Sequence, residues 1–318
     1  MPDLTSSRTL VTGALGCVGA WTLKALLDLG EEPVGYDLGG DDARLRLVLS
    51  EEERAKVTLV EGDVTDGEAL GRALDEHRVT NVVHLAALQV PFCRADPERG
   101  ARVNVVGTVV VFEAVKKRLA RIPGLAYASS AAVYDAADPS PAPESGGTEP
   151  ATLYGVYKVA NEGTARVYWQ DDDIPSIGIR PYVVYGPGRD QGLTAGPSLA
   201  MAAAARGEGY AIAYGGTAQY DFAPDVGRAF ALASRSARDG AHVANFPGEP
   251  STMAQVVEAI EAAAPEVAGR IGWEEGRLPF PESLQGRLLE HLVGPLSRTS
   301  LAEGVRRTIE HFRAARDR

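Results

Sequence analysis

An apolar run, Arg8 to Thr12, opens into three glycines set three apart, Gly13, Gly16 and Gly19, and the chain then takes up helical spacing at Trp21, Ala25 and Leu29 before stopping at Gly30. A strand that turns through glycines directly into a helix has few architectures open to it. The helix must cross back over a sheet whose next strand runs parallel to the first. The first half repeats this alternation. Pro33–Asp37, Val57–Glu61, Asn81–Leu85, Gly124–Ser129 and Ser176–Val184 read as buried strands. Helices are predicted over Gly16–Leu29, Glu68–His77, Pro97–Arg118 (as one long helix) and Tyr154–Gln170, with a polar loop and helix in Gly39–Glu53. The class is α/β, a doubly wound parallel sheet covered by helices on both faces.

The same turn has chemical meaning. Backbone N–H groups in a glycine-rich turn can approach a pyrophosphate, and the start of the next helix adds positive potential. Gly13, Leu15, Gly16, Cys17, Val18 and Gly19 are therefore candidate contacts of a dinucleotide. Asp37 ends the second strand. A carboxylate there accepts hydrogen bonds from the adenosine ribose hydroxyls and repels a 2′-phosphate, and no cation follows until Arg44. If Asp37 is more than a solvated loop residue, the cofactor is NAD and not NADP. Asp63, after the third strand, is placed either to meet the adenine edge or to cap a helix.

Tyr154 and Lys158 stand four apart on a predicted helix and so share a face. Ser130 lies at the end of the fifth strand, facing the same crevice. A phenol holds its proton to about pH 10. A neighbouring ammonium and a positive nicotinamide ring would both favour the phenolate. Tyr154 could then accept a proton from an alcohol whose hydride leaves for the nicotinamide, with Ser130 bonded to the alcohol oxygen. Alone, a Tyr–Lys pair or a strand-end Ser-Ser is commonplace. In this order, after this turn, they form a catalytic group.

The net charge of −11 argues against a nucleic-acid partner, which needs clustered Lys and Arg. With 45% hydrophobic and 24% charged residues the composition is that of an ordinary globular protein. Two cysteines, Cys17 and Cys93, offer no disulfide framework. The first residues lack the apolar core of a signal peptide, and no run of about 18 apolar residues could span a membrane. The expected location is the cytoplasm. His84 reads as a packed strand residue, since no second His or Cys stands at ligand spacing, and no metal is expected. Tyr134 and Tyr157 read as pocket or core aromatics, and Glu162 as the helix-surface ion partner of Lys158 at i+4.

The motifs Thr12–Gly19, Gly62-Asp63-Val64, His84-Leu85-Ala86-Ala87, Asn104-Val105-Val106-Gly107-Thr108, Ser129–Tyr134, Tyr154–Lys158 and Arg180–Pro187 occur in the order of the extended short-chain dehydrogenase/reductases. The chain resembles that group, the NAD-dependent epimerase/dehydratase family, over about its first 230 residues. The resemblance implies a Rossmann domain over 1–184 with Ser130, Tyr154 and Lys158 as its catalytic residues. It implies a smaller C-terminal substrate lobe over 185–318, some of whose segments return to the sheet. It implies cofactor contacts from Leu85, Ala86 and Ala87, adds Val64 and Asn104 to that set, and has Tyr154 and Lys158 touch the cofactor as well. It also implies a homodimer formed through the helices Pro97–Arg118 and Tyr154–Gln170.

Two departures bear on substrate. Nucleotide-sugar members usually carry Asn where this chain has Val183, and Arg where alignment on Asp225 places Ala218. Diphosphate recognition needs cationic or amide donors, so their loss points to a small free carbohydrate. Arg189, after Gly186-Pro187-Gly188, either receives a substrate carboxylate or is a solvated surface residue. The leading reading is an NAD-dependent oxidoreductase acting on a secondary alcohol of a small carbohydrate or sugar acid. The alternative is an epimerase that oxidises, turns the keto intermediate over and reduces it again. A non-catalytic NAD sensor would be expected to lose Tyr154 or Lys158, and a dehydratase to carry an acidic pair where Ala131-Ala132 stand.

Overall fold

The computed structural model describes residues 7–146 and 149–316. The residues read for a leader peptide, apart from Ser7 and Arg8, lie outside the described residues, as do two positions of the Asp135–Pro150 loop. Strands β1 (Thr9–Thr12), β2 (Val34–Asp37), β3 (Thr58–Glu61), β4 (Asn81–His84), β5 (Leu125–Ala128) and β6 (Ser176–Arg180) form a parallel sheet. Strand β7 (Val183–Tyr185) leaves it. After β8 (Tyr210–Ile212) and β9 (Thr217–Phe222), β10 (Ala241–Asn245) returns to its edge, giving the order β10-β6-β5-β4-β1-β2-β3. The inner strands β1, β4 and β6 are buried along their whole length, whereas the edge strand β3 alternates between half-buried and exposed.

Helices α1 (Cys17–Asp28), α2 (Ala43–Val48), α3 (Glu51–Ala55), α4 (Gly67–Glu76), α5 (Val90–Ala95), α6 (Pro97–Ala101), α7 (Gly107–Lys116) and α8 (Leu153–Asp172) fill the first half. The second half adds α9 (Gly196–Ala205), α10 (Ala223–Ser236), α11 (Met253–Ala263), α12 (Leu288–Val293) and α13 (Leu301–Arg316). One face of the sheet buries Leu23, Leu26 and Phe230 from α1 and α10. The other buries Leu70, Phe112 and Val115 from α4 and α7. A third core, around Tyr185, Met201, Phe222 and Ile260, lies in the C-terminal lobe. There β7 and β9 pair with β11 (Pro250–Thr252), and β8 pairs with β12 (Ile271–Trp273).

Two expected elements are divided. The predicted strand Ser176–Val184 breaks at Pro181, which has no N–H to give a ladder. The Pro181 carbonyl instead accepts from Ala131 N–H at 2.9 Å, and the next N–H, of Tyr182, turns to the carboxylate of Asp221 on β9 at 2.6 Å. The predicted helix Pro97–Arg118 is interrupted by a turn of π-helix at Arg102–Val106. There the Asn104 carbonyl accepts from Thr108 Oγ1 at 2.8 Å and from Asn161 Nδ2 on α8 at 2.9 Å. Side chains have taken an acceptor that a regular helix uses internally.

Two buried titratable groups give opposite pH responses. Burial pushes the Asp221 carboxyl up to about 7, with Asp225 adding to the rise and donors from Tyr182 and Gln219 opposing it. Folded protein thus holds a proton that unfolded chain has released, and stability falls as pH rises from about 4 to 7. Burial, aided by the charge of Lys158, lowers His84 to about 3, so its contribution to stability is lost as pH falls below about 6.5. Asp221→Asn removes only the first effect. Its stability relative to wild type is expected to climb by roughly 1.4 kcal/mol per pH unit between pH 4 and 7. Urea midpoints at pH 4.5 and 6.5 that shift equally in both proteins would contradict this assignment.

Candidate active site

A cleft of about 720 Å³ opens at the carboxyl ends of the strands, where β1 and β4 lie side by side and their crossovers run in opposite directions. Its floor is the glycine turn. Gly13 adopts φ +70°, and a Cβ there would stand 2.7 Å from the Ala86 nitrogen. A Cβ on Gly19 would fall 2.1 Å from the Gly13 carbonyl oxygen, so only glycine lets α1 start this close to the turn. Gly16 caps α1 without a side-chain acceptor, which leaves first-turn N–H groups for a ligand anion. Asp37 is anchored by N–H groups of Leu15 at 2.9 Å and Leu38 at 2.8 Å. These donors and this anchored carboxylate fit a dinucleotide with free ribose hydroxyls. Leu15, Cys17, Val18, Asp63, Val64, Leu85, Ala86 and Ala87 line the same cleft. Asp63 does not cap α4; that is done by Asp66, while Asp63 accepts from Thr65 N–H and Oγ1.

Ser130, Tyr154 and Lys158 converge on the cleft from β5 and α8. Gly155 permits this: a Cβ there would lie 2.0 Å from the Ala132 carbonyl oxygen, so α8 seats directly on the turn after Ser130. Ser130 Oγ accepts from Ala132 N–H at 3.1 Å and lies beside Tyr154. Lys158 is 3% exposed, donates to the Ala128 carbonyl at 2.6 Å and stands 5.4 Å from the centre of the Tyr154 ring. Burial lowers it to about 8, with Cys93 and Glu162 opposing, so it is a cation at neutral pH. Tyr154 departs from expectation. Burial raises it, outweighing the opposing effects of Ser130 and the charge of Arg189.

Two further expectations, for Asn104 and Glu162, are corrected by position, while His84, Tyr134 and Tyr157 are packed as read. Asn104 does not line the cleft. It is buried behind the wall, its Oδ1 accepting from Leu88 N–H at 2.7 Å and its Nδ2 donating to the Leu88 carbonyl at 2.9 Å. It holds the loop after β4 in place. Glu162 pairs with Arg180 at 2.6 Å and not with Lys158, and also accepts from Ser129 Oγ. His84 is spanned by Thr12 and Thr108 hydroxyls at 2.8 and 3.0 Å. Tyr134 bonds Arg180 and Asn245, and Tyr157 bonds the Pro97 carbonyl, both within the structure. Sequence reasoning passed over Gln89, which follows the His84–Ala87 run and lines the cleft. It also passed over the tie that holds Arg44, bonded to Asp190 at 2.7 Å and to the Leu15 carbonyl at 3.2 Å.

The sequence pattern of the NAD dependent epimerase/dehydratase family matches residues 9–246. The chain belongs to that family. It is 32% identical to a UDP-glucose 4-epimerase of Mycolicibacterium smegmatis across 96% of this chain and 98% of that one. A UDP-glucuronate 4-epimerase of Arabidopsis thaliana is 34% identical, over 56% of this chain and 40% of its own length. The solved UDP-glucose 4-epimerase of Thermus thermophilus, in complex with NAD, superposes with a TM-score of 0.81 at 28% identity, over 96% of this chain and 99% of that one. An L-threonine 3-dehydrogenase consensus protein shares the fold alone, with a TM-score of 0.82 at 22% identity. The protein is thus an NAD-dependent enzyme of the sugar epimerase and dehydrogenase type.

Tyr182, Arg189, Thr194 and Phe280 also line the cleft of this epimerase/dehydratase family member. Val183 is 0% and Ala218 1% exposed, both packed in the C-terminal core. Arg189 has its Nη2 on Thr194 Oγ1 at 3.1 Å. Among the described residues no helix is long and apolar enough to cross a membrane.

Proposed function

We propose that the enzyme oxidises a secondary alcohol on a small free sugar or sugar acid, with Ser130, Tyr154 and Lys158 as its catalytic residues. The observation that carries this reading is that the two positions where a diphosphate donor is expected hold Val183 and Ala218, both buried in the C-terminal core. NAD, when bound, supplies the acceptor for the hydride leaving the carbinol carbon and a positive ring that favours the Tyr154 phenolate. The glycine turn would hold its pyrophosphate and Asp37 its adenosine ribose, with Asp63, Val64 and Leu85–Ala87 along its length. Tyr154 takes the hydroxyl proton, Ser130 holds the alcohol oxygen, and Lys158 fixes the local charge from its seat on the Ala128 carbonyl.

In this reading Arg189 binds the carboxylate of an acid substrate. Arg189→Ala is expected to raise KM for the preferred acid about ten- to a hundredfold, the worth of a charge-assisted hydrogen bond. Unchanged affinity for every accepted acid would remove Arg189 from the site. The deciding assay is a screen of aldonic acids, uronic acids and free sugars for steady NADH formation, followed by product stereochemistry.

The likeness to UDP-glucose 4-epimerases along nearly the whole chain favours a second reading, epimerisation. Tightly retained NAD and inversion without net NADH would mark it. We also infer a cytoplasmic homodimer joined through α7 and α8. The exposed apolar side chains of Val106, Val156 and Val167 on and beside these helices support the pairing. Sedimentation as a monomer at micromolar concentration would argue against it.

A further inference from the structure

We propose that Gln89 and Arg189 form a joint subsite selecting acids that carry a hydroxyl on the carbon next to the carboxylate. The inference rests on the sugar-acid reading above and narrows its substrate class. Gln89 stands at the start of α5, yet its side chain does not cap that helix. Its Oε1 is buried and has no hydrogen-bond partner. The Nε of Arg189 is likewise buried and unpaired, although its Nη2 reaches Thr194. Buried polar atoms are rarely left unpaired, so two among the residues lining one cleft mark a place for ligand atoms.

The two side chains approach the same point of the loop at Gly192. A Cβ built on Gly192 would lie 2.0 Å from Gln89 Oε1 and 3.1 Å from Arg189 Nη2. Gly192 has φ +99°, so the loop turns over this pair with no side chain of its own. Both residues line the cleft that holds Ser130 and Tyr154, and the charge of Arg189 is felt at Tyr154. The subsite therefore opens on the same cleft as the catalytic residues.

Donor and acceptor chemistry then selects the ligand. A guanidinium only donates, and an amide oxygen only accepts. A carboxylate satisfies Arg189 but leaves Gln89 Oε1 unpaired. A neutral sugar satisfies Gln89 but leaves the Arg189 charge unmatched. A carboxylate with an adjacent hydroxyl satisfies both at once. A site built to bond a hydroxyl discriminates strongly against an analogue lacking it.

The test compares aldonic acids with their 2-deoxy counterparts, using wild-type enzyme, Gln89→Leu and Gln89→Glu, with NADH formation as readout. Wild type is expected to favour the 2-hydroxy acid by about ten- to a hundredfold in kcat/KM. Gln89→Leu should bring that preference close to unity while KM for NAD is unchanged. Gln89→Glu keeps the shape but sets a carboxylate beside Arg189, and should weaken both acids at least tenfold. Thermal unfolding midpoints matching wild type would tie these changes to the subsite. If wild type shows no preference, or Gln89→Leu retains it, the proposal is overturned and the sugar-acid reading stands. If wild type oxidises no acid and instead inverts a UDP-sugar, the functional reading fails and this proposal fails with it.

Discussion

Tyr154→Phe is expected to lower kcat by about a thousandfold, within the range of 10²–10⁴ for a lost general acid–base group. The expectation follows from geometry. The Tyr154 hydroxyl is the ionisable group that meets both Ser130 and the cleft, and Lys158 is occupied by the Ala128 carbonyl at 2.6 Å. No neighbouring side chain stands ready to take over the proton. NAD affinity, carried by the glycine turn and Asp37, should change by only a few fold, which a fluorescence titration would measure. Lys158→Met should damage both quantities, because it removes a buried cation and empties a carbonyl on β5. Unchanged turnover in Tyr154→Phe would instead favour an NAD-sensing protein on an enzyme's fold.

Arg180→Met should be the most destabilising of the substitutions considered, by about 3–5 kcal/mol, the cost of leaving a buried charge without its partner. The side chains of Arg180 and Glu162 are 5% and 12% exposed. Arg180 Nε and Nη2 hold the Glu162 carboxylate at 2.7 and 2.6 Å, and Nη1 holds Tyr134 and the carbonyls of Glu144 and Gly146. The group joins β6, α8 and the loop before α8. Its loss would loosen the seat of Tyr154 as well as the fold. The Glu162→Leu, Arg180→Met pair should recover much of the loss, since an apolar pair leaves no unpaired charge. Urea unfolding checks both, and a single-variant loss below 1 kcal/mol would show that Glu162 finds another partner.

What could be read in advance follows the range of the interactions concerned. The strands β1, β4 and β5 are short apolar runs with local stops, and the glycine turn is set by neighbours in sequence. The strand β7 was misjoined to β6 across Pro181, and β9 and β11 were missed because Gln219, Asp221 and Ser251 leave them no apolar run. The break in the predicted helix Pro97–Arg118 depends on Asn161, a side chain 57 residues away from the carbonyl it occupies. The same holds at the site. The four-residue spacing of Tyr154 and Lys158 was legible, whereas helical spacing assigned Glu162 to Lys158 when the sheet supplies Arg180 instead. The place of Asp37 at the end of β2, beside the glycine turn, was legible too. The approach of Gln89 and Arg189 to Gly192 was not, because it depends on how the loop of residues 186–194 folds against α5.

Pro181 has a further consequence for anyone wishing to change what the enzyme accepts. Because the chain leaves the main sheet there as β7 and comes back to it as β10, the C-terminal lobe is stitched into the cofactor domain and does not hang from it as a separate module. Such a lobe cannot be exchanged as a cassette. Transplants between relatives should succeed with the loop of residues 186–194, which carries Arg189 and Gly192 between fixed ends, and fail with the lobe as a whole.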